Sequence, residues 1–135
     1  MELYGITLIT TPHRIMVDDV ALFSCCAMVS QMVPLLLRKN ATVESLDPVD
    51  NRIIKTRISE SKIASAEPME AVASFVVTNQ EDVFEDISSS FCSHVRFFTN
   101  IKNAEEFINM DSRRYMISID TLFHIAQQLQ ENIWG

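Results

Sequence analysis

At 135 residues the chain has the size of one domain, and a single unit spanning 1–135 is expected. Its 47% hydrophobic and 21% charged content is that of an ordinary globular protein, with enough length to bury a core without disulfide or metal staples. A formal net charge of -7 argues against nucleic acid or an anionic membrane as partner, and the low count of two Gly and four Pro argues against disorder and long linkers.

The first elements are short. Residues 4–10 and 14–17 read as strands around a turn at Thr11-Pro12-His13. Residues 20–37 then carry no charge, which raises the question of a membrane span. Ser24, Ser30, Gln31 and Pro34 interrupt the apolar run, and the remaining elements need something to pack on. The expectation is a long central core helix, capped by Asp18 or Asp19 and complemented at its other end by Arg38-Lys39. Pro34 should kink or shorten its last turns.

A hairpin follows, with arms at 41–46 and 52–59 and a turn at Asp47-Pro48-Val49-Asp50-Asn51. Ile54, Thr56 and Ile58 alternate with Lys55 and Arg57, so one face is wet. Residues 61–66 suggest a further short strand or turn and 71–77 a better strand. Residues 83–90 read as a short helix and the acidic runs Glu81-Asp82 and Glu85-Asp86 as solvated helix ends, with Phe91-Cys92-Ser93 a loop and 94–98 a strand. An amphipathic helix is expected over 102–110 with Ala104, Phe107 and Ile108 inward, and a last strand over 115–119. The closing helix, 120–133, turns Leu122, Ile125, Ala126 and Leu129 inward. Hairpins among interleaved helices imply an α+β fold, a mostly antiparallel sheet packed with helices.

Several chemistries are excluded. No phosphate loop, GxGxxG or HExxH is present, and two Gly cannot build a nucleotide cradle. No CxxC supports a zinc ribbon or a thioredoxin site. The three cysteines are Cys25, Cys26 and Cys92, an odd number with two adjacent, which is a poor disulfide framework. Free thiols suit a reducing cytosol, and the N-terminus lacks a basic stretch ahead of an apolar one, so a cytoplasmic location is expected. Taken alone, each cysteine would be core filler.

The informative run is Phe91-Cys92-Ser93-His94-Val95-Arg96-Phe97-Phe98, followed by Ala104-Glu105-Glu106-Phe107. Upstream stand Leu22-Phe23-Ser24-Cys25-Cys26-Ala27-Met28 and Pro34, and later Ile63 and Glu67-Pro68. Together these resemble the alkylmercury (organomercurial) lyase family, over most of the chain from about Gly5 to the last helix. The resemblance places Cys26 and Cys92 in the catalytic and metal-binding positions and Cys25 in a neighbouring aromatic position. It implies cleavage of a carbon–mercury bond. Mercury is soft and prefers thiolate, two thiolates push electron density toward the bond, and an acid protonates the carbon. No cofactor is required: Hg(II) is the bound product and an external thiol accepts it. An organomercurial or other soft-metal substrate is the expected partner.

Three departures from the family pattern stand out. The family's acid, an Asp three residues after the first catalytic Cys, is here Val29, which carries no proton. A structural Cys of some members falls at about Asp47. The family's N-terminal winged-helix-type domain has no counterpart, so the resemblance implies the catalytic part only, with a more open site or a homodimer. His94 reads as a hydrogen-bonded structural residue which, near the site, could orient or deprotonate a thiol. Arg96 would share its strand face and could lower a thiolate pKa. His13 and His124 read as structural or exposed. Two rivals to the lyase share these residues: a noncatalytic Hg(II) or Cu(I) binding or delivery protein using the same thiol pair, and an interaction domain that has kept only the fold.

Overall fold

A computed structural model describes residues 6–7, 11–24, 27–76 and 94–133. In chain order these form β1 (Ile6–Thr7), β2 (His13–Val17), β3 (Val20–Ser24), α1 (Ala27–Leu37), β4 (Ala41–Leu46), β5 (Ile53–Ser59), β6 (Lys62–Glu67) and β7 (Val72–Val76). After the gap come β8 (Phe97–Phe98), α2 (Ile101–Ile108), β9 (Arg114–Ile117) and α3 (Ile119–Ile133). A six-stranded sheet has the order β1-β3-β2-β4-β5-β6 and a three-stranded sheet the order β8-β7-β9. Every pairing is antiparallel, so the fold is α+β as the hairpin pattern implies.

The expected long helix is corrected. Val20–Ser24 is a strand, and the helix begins at Ala27 and has 11 residues. Asp18 and Asp19 do not cap a helix; both have positive φ, 49° and 65°, and form the two-residue turn that closes β2 on β3 at Val17↔Val20. Short hairpins favour positive φ at both central positions, and Asp is among the non-glycine residues that tolerate it. Glu60 and Ser61 repeat the device between β5 and β6, again with positive φ at both positions. With its first part spent on a strand, the uncharged run leaves, among the described residues, no helix long and apolar enough to cross a membrane.

Helix α1 is buried from Ala27 through Pro34, and its surroundings explain why it is apolar nearly all round. It packs on β2, β3 and β4 along one side and on α3 along the other. Pro34 does not stop it at once; the helix runs on to Leu37 and ends at Arg38, whose φ is +56°. Lys39 N–H donates to the Pro34 carbonyl at 3.2 Å and Arg38 N–H to the Leu35 carbonyl at 3.3 Å, the Schellman pattern. Arg38 occupies the position that glycine fills without steric cost. Arg38→Gly is therefore expected to stabilise the fold by about 1 kcal/mol, seen as a rise of about 3 °C in Tm.

The core-facing side of the large sheet carries Ile15, Val17, Val43, Ile54 and Ile58, all buried. The opposite face is wetter, with an Arg14–Glu44 ion pair across β2 and β4 at 3.0 Å. The closing helix matches its expected stripe: Leu122 and Ala126 are fully buried, and Ile125 and Leu129 pack against the same core.

The segment expected as a strand over 94–98 is a strand only at Phe97–Phe98. Ahead of it a single buried hydroxyl replaces part of the backbone ladder. Ser74 Oγ donates to the His94 carbonyl at 2.7 Å and accepts from Arg96 N–H at 3.0 Å, while Ser74 N–H reaches the Arg96 carbonyl at 2.9 Å. The strand alternation that would put His94 and Arg96 on one face does not operate there.

Candidate thiol site

Cys25, Cys26 and Cys92 lie outside the described residues, as do the helix expected at 83–90 and the loop at 91–93. What is described is the chain on either side. Ser24, the residue before the Cys25-Cys26 pair, and Ala27, the residue after it, are both fully buried. His94, two residues past Cys92, is buried as well.

The two segments are linked through His13. Ser24 ends β3 directly opposite His13 on β2, and the His13 ring packs edge-on to Phe97 of β8, with centroids 6.4 Å apart. His13 is thus structural and not exposed, and it is not in a turn; it opens β2 and is only 1% exposed. It also pairs with Ser45 of β4, so Ser24, His13 and Ser45 make one rung across three strands. The next rung on the same face, Leu22, Ile15 and Val43, is apolar.

A buried polar rung must find hydrogen bonds. His13 Nδ1 lies 2.8 Å from Ser45 Oγ, and the Ser24 carbonyl accepts from Thr11 Oγ1 at 2.6 Å. Polar chemistry is therefore concentrated at the end of the sheet from which the chain enters the Cys25-Cys26 pair.

The first turns of α1 offer no acid. Val29 is buried among apolar neighbours. Ser30 Oγ donates its proton to the Ala27 carbonyl at 2.6 Å and accepts from Gln31 Nε2 at 3.3 Å, so that hydroxyl is committed within the helix.

On the Cys92 side, His94 Nδ1 accepts from Arg114 Nε at 3.0 Å. The guanidinium also donates to the Phe107 carbonyl at 2.7 Å and lies 3.8 Å over the Phe107 ring. Burial pushes the Arg114 pKa down from its ordinary value. Asp111 stands 4.0 Å from His94 Nδ1, too far for a hydrogen bond. Hydrogen bonds from the Arg113 side chain and backbone hold the Asp111 carboxyl well below the usual carboxylate range.

Asp47 is fully buried at the start of the β4–β5 turn. Its Oδ1 accepts from Val49 N–H at 2.8 Å. Its Oδ2 accepts from Thr99 N–H at 2.8 Å, Thr99 Oγ1 at 3.1 Å and Asn103 Nδ2 at 3.0 Å. The carboxylate thus ties the turn to the residues just beyond β8, the strand that leads away from Cys92. His124 is exposed on α3, far along the chain from this cluster. The described clefts lie elsewhere, one of them at the far end of α1 between Pro34, Arg38, Lys39, Ser61 and Gln127.

A family model described as alkylmercury lyase matches residues 6–131. The chain belongs to the alkylmercury lyase family. It is 28% identical over 126 residues to the alkylmercury lyase of Staphylococcus epidermidis, covering 93% of this chain and 57% of that protein. With the alkylmercury lyase of Bacillus cereus it shares 29% identity over 123 residues, covering 91% and 55%. A solved structure described as the mercury-bound form of MerB2 superposes with a TM-score of 0.80 at 16% identity, covering 94% of this chain and 61% of that one. The chain thus spans a little over half the length of these curated relatives.

Sequence reasoning did not reach Ser74, Ser45 or Arg114. Each acts through partners remote in sequence, and no local pattern marks it.

Proposed function

We propose that the chain is an organomercurial lyase-type domain in which Cys26 and Cys92 form the reacting thiol pair. The observation that carries this reading is the family match over 6–131, which includes both cysteines. Ser24, just before the Cys25-Cys26 pair, and Phe97, five residues past Cys92, both lie against His13, which supports it. The reaction balances with the chain's own thiols: RHg–X and two Cys–SH give RH, Hg(S–Cys)2 and HX. One sulfur displaces X from mercury. As the second sulfur binds, the carbon–mercury bond breaks and its electron pair takes up a thiol proton. External thiol then removes Hg(II).

One observation favours the alternative, a soft-metal binding or delivery protein that uses the same pair without breaking a bond. Val29 is buried and apolar where the family's acid would stand, and the Ser30 proton is engaged by Ala27. The two readings separate when reduced protein is incubated with methylmercury and excess thiol, with methane and protein-bound Hg(II) both measured. Methane with transient Hg(II) binding is expected. Stoichiometric binding without methane would replace the lyase by the binding protein.

Val29→Asp adds a general acid, a class of group that contributes about 10²-fold or more to such steps. It is expected to raise the methane rate by up to about a hundredfold, while burial of the new carboxyl costs about 3 kcal/mol of stability in urea denaturation. A folded variant with no rate gain would mean that another donor, a thiol, already serves.

A further inference from the structure

The end of α1 away from the cysteines carries a cleft that the proposed chemistry does not use. The helix runs from Ala27, next in sequence to the Cys25-Cys26 pair, to Leu37, and a rise of about 1.5 Å per residue puts its last turn roughly 15 Å from its first. There the end of α1, the second half of α3 and the β5–β6 turn enclose about 400 Å³, the size class of small-molecule sites. Pro34 and Ile58, both buried, give the cleft an apolar floor.

Its walls are tied to one another. Glu60 N–H donates to Asn40 Oδ1 at 3.1 Å, which joins the β5–β6 turn to the link between α1 and β4. Gln127 Nε2 donates to the Ser61 carbonyl at 3.1 Å, which joins the same turn to α3. A site held in shape beforehand loses less freedom when a ligand arrives.

The charges on the rim select the ligand. Lys39 is paired with Asp18, but among the described residues nothing pairs with the side chains of Arg38, Glu60 or Glu131. One free guanidinium and two free carboxylates thus line one small cleft. A simple anion would meet the carboxylates, and a simple cation would meet Arg38. A short molecule that carries both signs satisfies both. The backbone points the same way. Arg38 and Glu60 hold φ of 56° and 54°, a region that glycine occupies without steric cost and that such residues seldom adopt. Strain of this kind collects at ligand clamps.

We propose that this cleft binds a free α-amino acid with an apolar side chain. The carboxylate pairs with Arg38, the ammonium faces Glu60 and Glu131, and the side chain rests on Pro34 and Ile58. The site is independent of the thiol chemistry and does not rest on it.

The test titrates the 15N-labelled protein with L-leucine and follows the Ser61 amide and the Gln127 side-chain amide. Saturable shifts at both are expected, with a Kd on the order of millimolar for so small a ligand. The analogue without an ammonium is 4-methylpentanoate, and the one without a carboxylate is 3-methylbutylamine. Each is expected to bind about tenfold more weakly or worse. Arg38→Gly, a change expected to raise Tm, should stay folded and lose about tenfold in affinity for L-leucine, a trade of binding for stability. Glu131→Gln should weaken binding too. Shifts that do not saturate would overturn the proposal. So would either analogue binding as tightly as L-leucine, or Arg38→Gly binding it as the wild type does.

Discussion

Changing either Cys26 or Cys92 to Ser is expected to reduce methane release from methylmercury by a factor of about 10³ or more. Serine keeps the size of the side chain but replaces a soft, ionisable sulfur with a hard hydroxyl that stays protonated at neutral pH. In the proposed reaction the second sulfur would have two tasks, completing the metal's coordination and supplying or passing the proton, so losing either thiol would remove the whole step. Groups that act as a unit lose their effects non-additively, and the double variant should be no slower than the worse single one. Hg(II) retention against competing thiol should fall in parallel. Cys25→Ser is the control, expected to stay within about twofold of the wild type. Full activity in Cys92→Ser would sink both the lyase and the metal-binding reading, because both need the pair.

The parts of this fold that were legible from the sequence are those with a local period. The hairpin of β4 and β5 and the inward stripe of α3 follow from alternation every two residues and from spacings of three and four. The part misread, residues 18–24, shows why the rest was not legible. Asp is favoured both at helix N-caps and in turns that need positive φ, and five uncharged residues before a helix look like its first turns. Only pairing with β2 and β1 makes Val20–Ser24 a strand, and pairing is long-range information. The site divides the same way. Two cysteines within a family pattern point to the chemistry. The contacts of the described residues on either side link His13 to Ser45, Ser74 to His94 and Arg114 to His94, and no spacing rule connects those positions.

Asp47→Ala is expected to destabilise the fold by about 3–4 kcal/mol, a large share of the total for a domain of this size. A fully buried carboxylate is costly to desolvate, and here four donors offset that cost: Val49 N–H, Thr99 N–H, the Thr99 hydroxyl and the Asn103 amide. Removing the acceptor leaves buried donors unsatisfied at about 1–3 kcal/mol each, reduced where relaxation admits water. Asp47→Asn keeps the volume but brings an amide NH2 up against groups that donate, so it should lose roughly 2 kcal/mol or more. Asp47→Cys should also destabilise, because sulfur is a weak acceptor for the donors that surround this position. Urea denaturation reads all three. A double-mutant cycle with Asn103→Ala isolates the shared contact, and strict additivity would show that the carboxylate acts elsewhere. The effect should extend past stability. Thr99 follows directly on β8, so releasing it loosens the strand that carries Phe97 against His13. Folded Asp47→Asn should therefore retain Hg(II) less tightly than the wild type, even at temperatures well below its Tm.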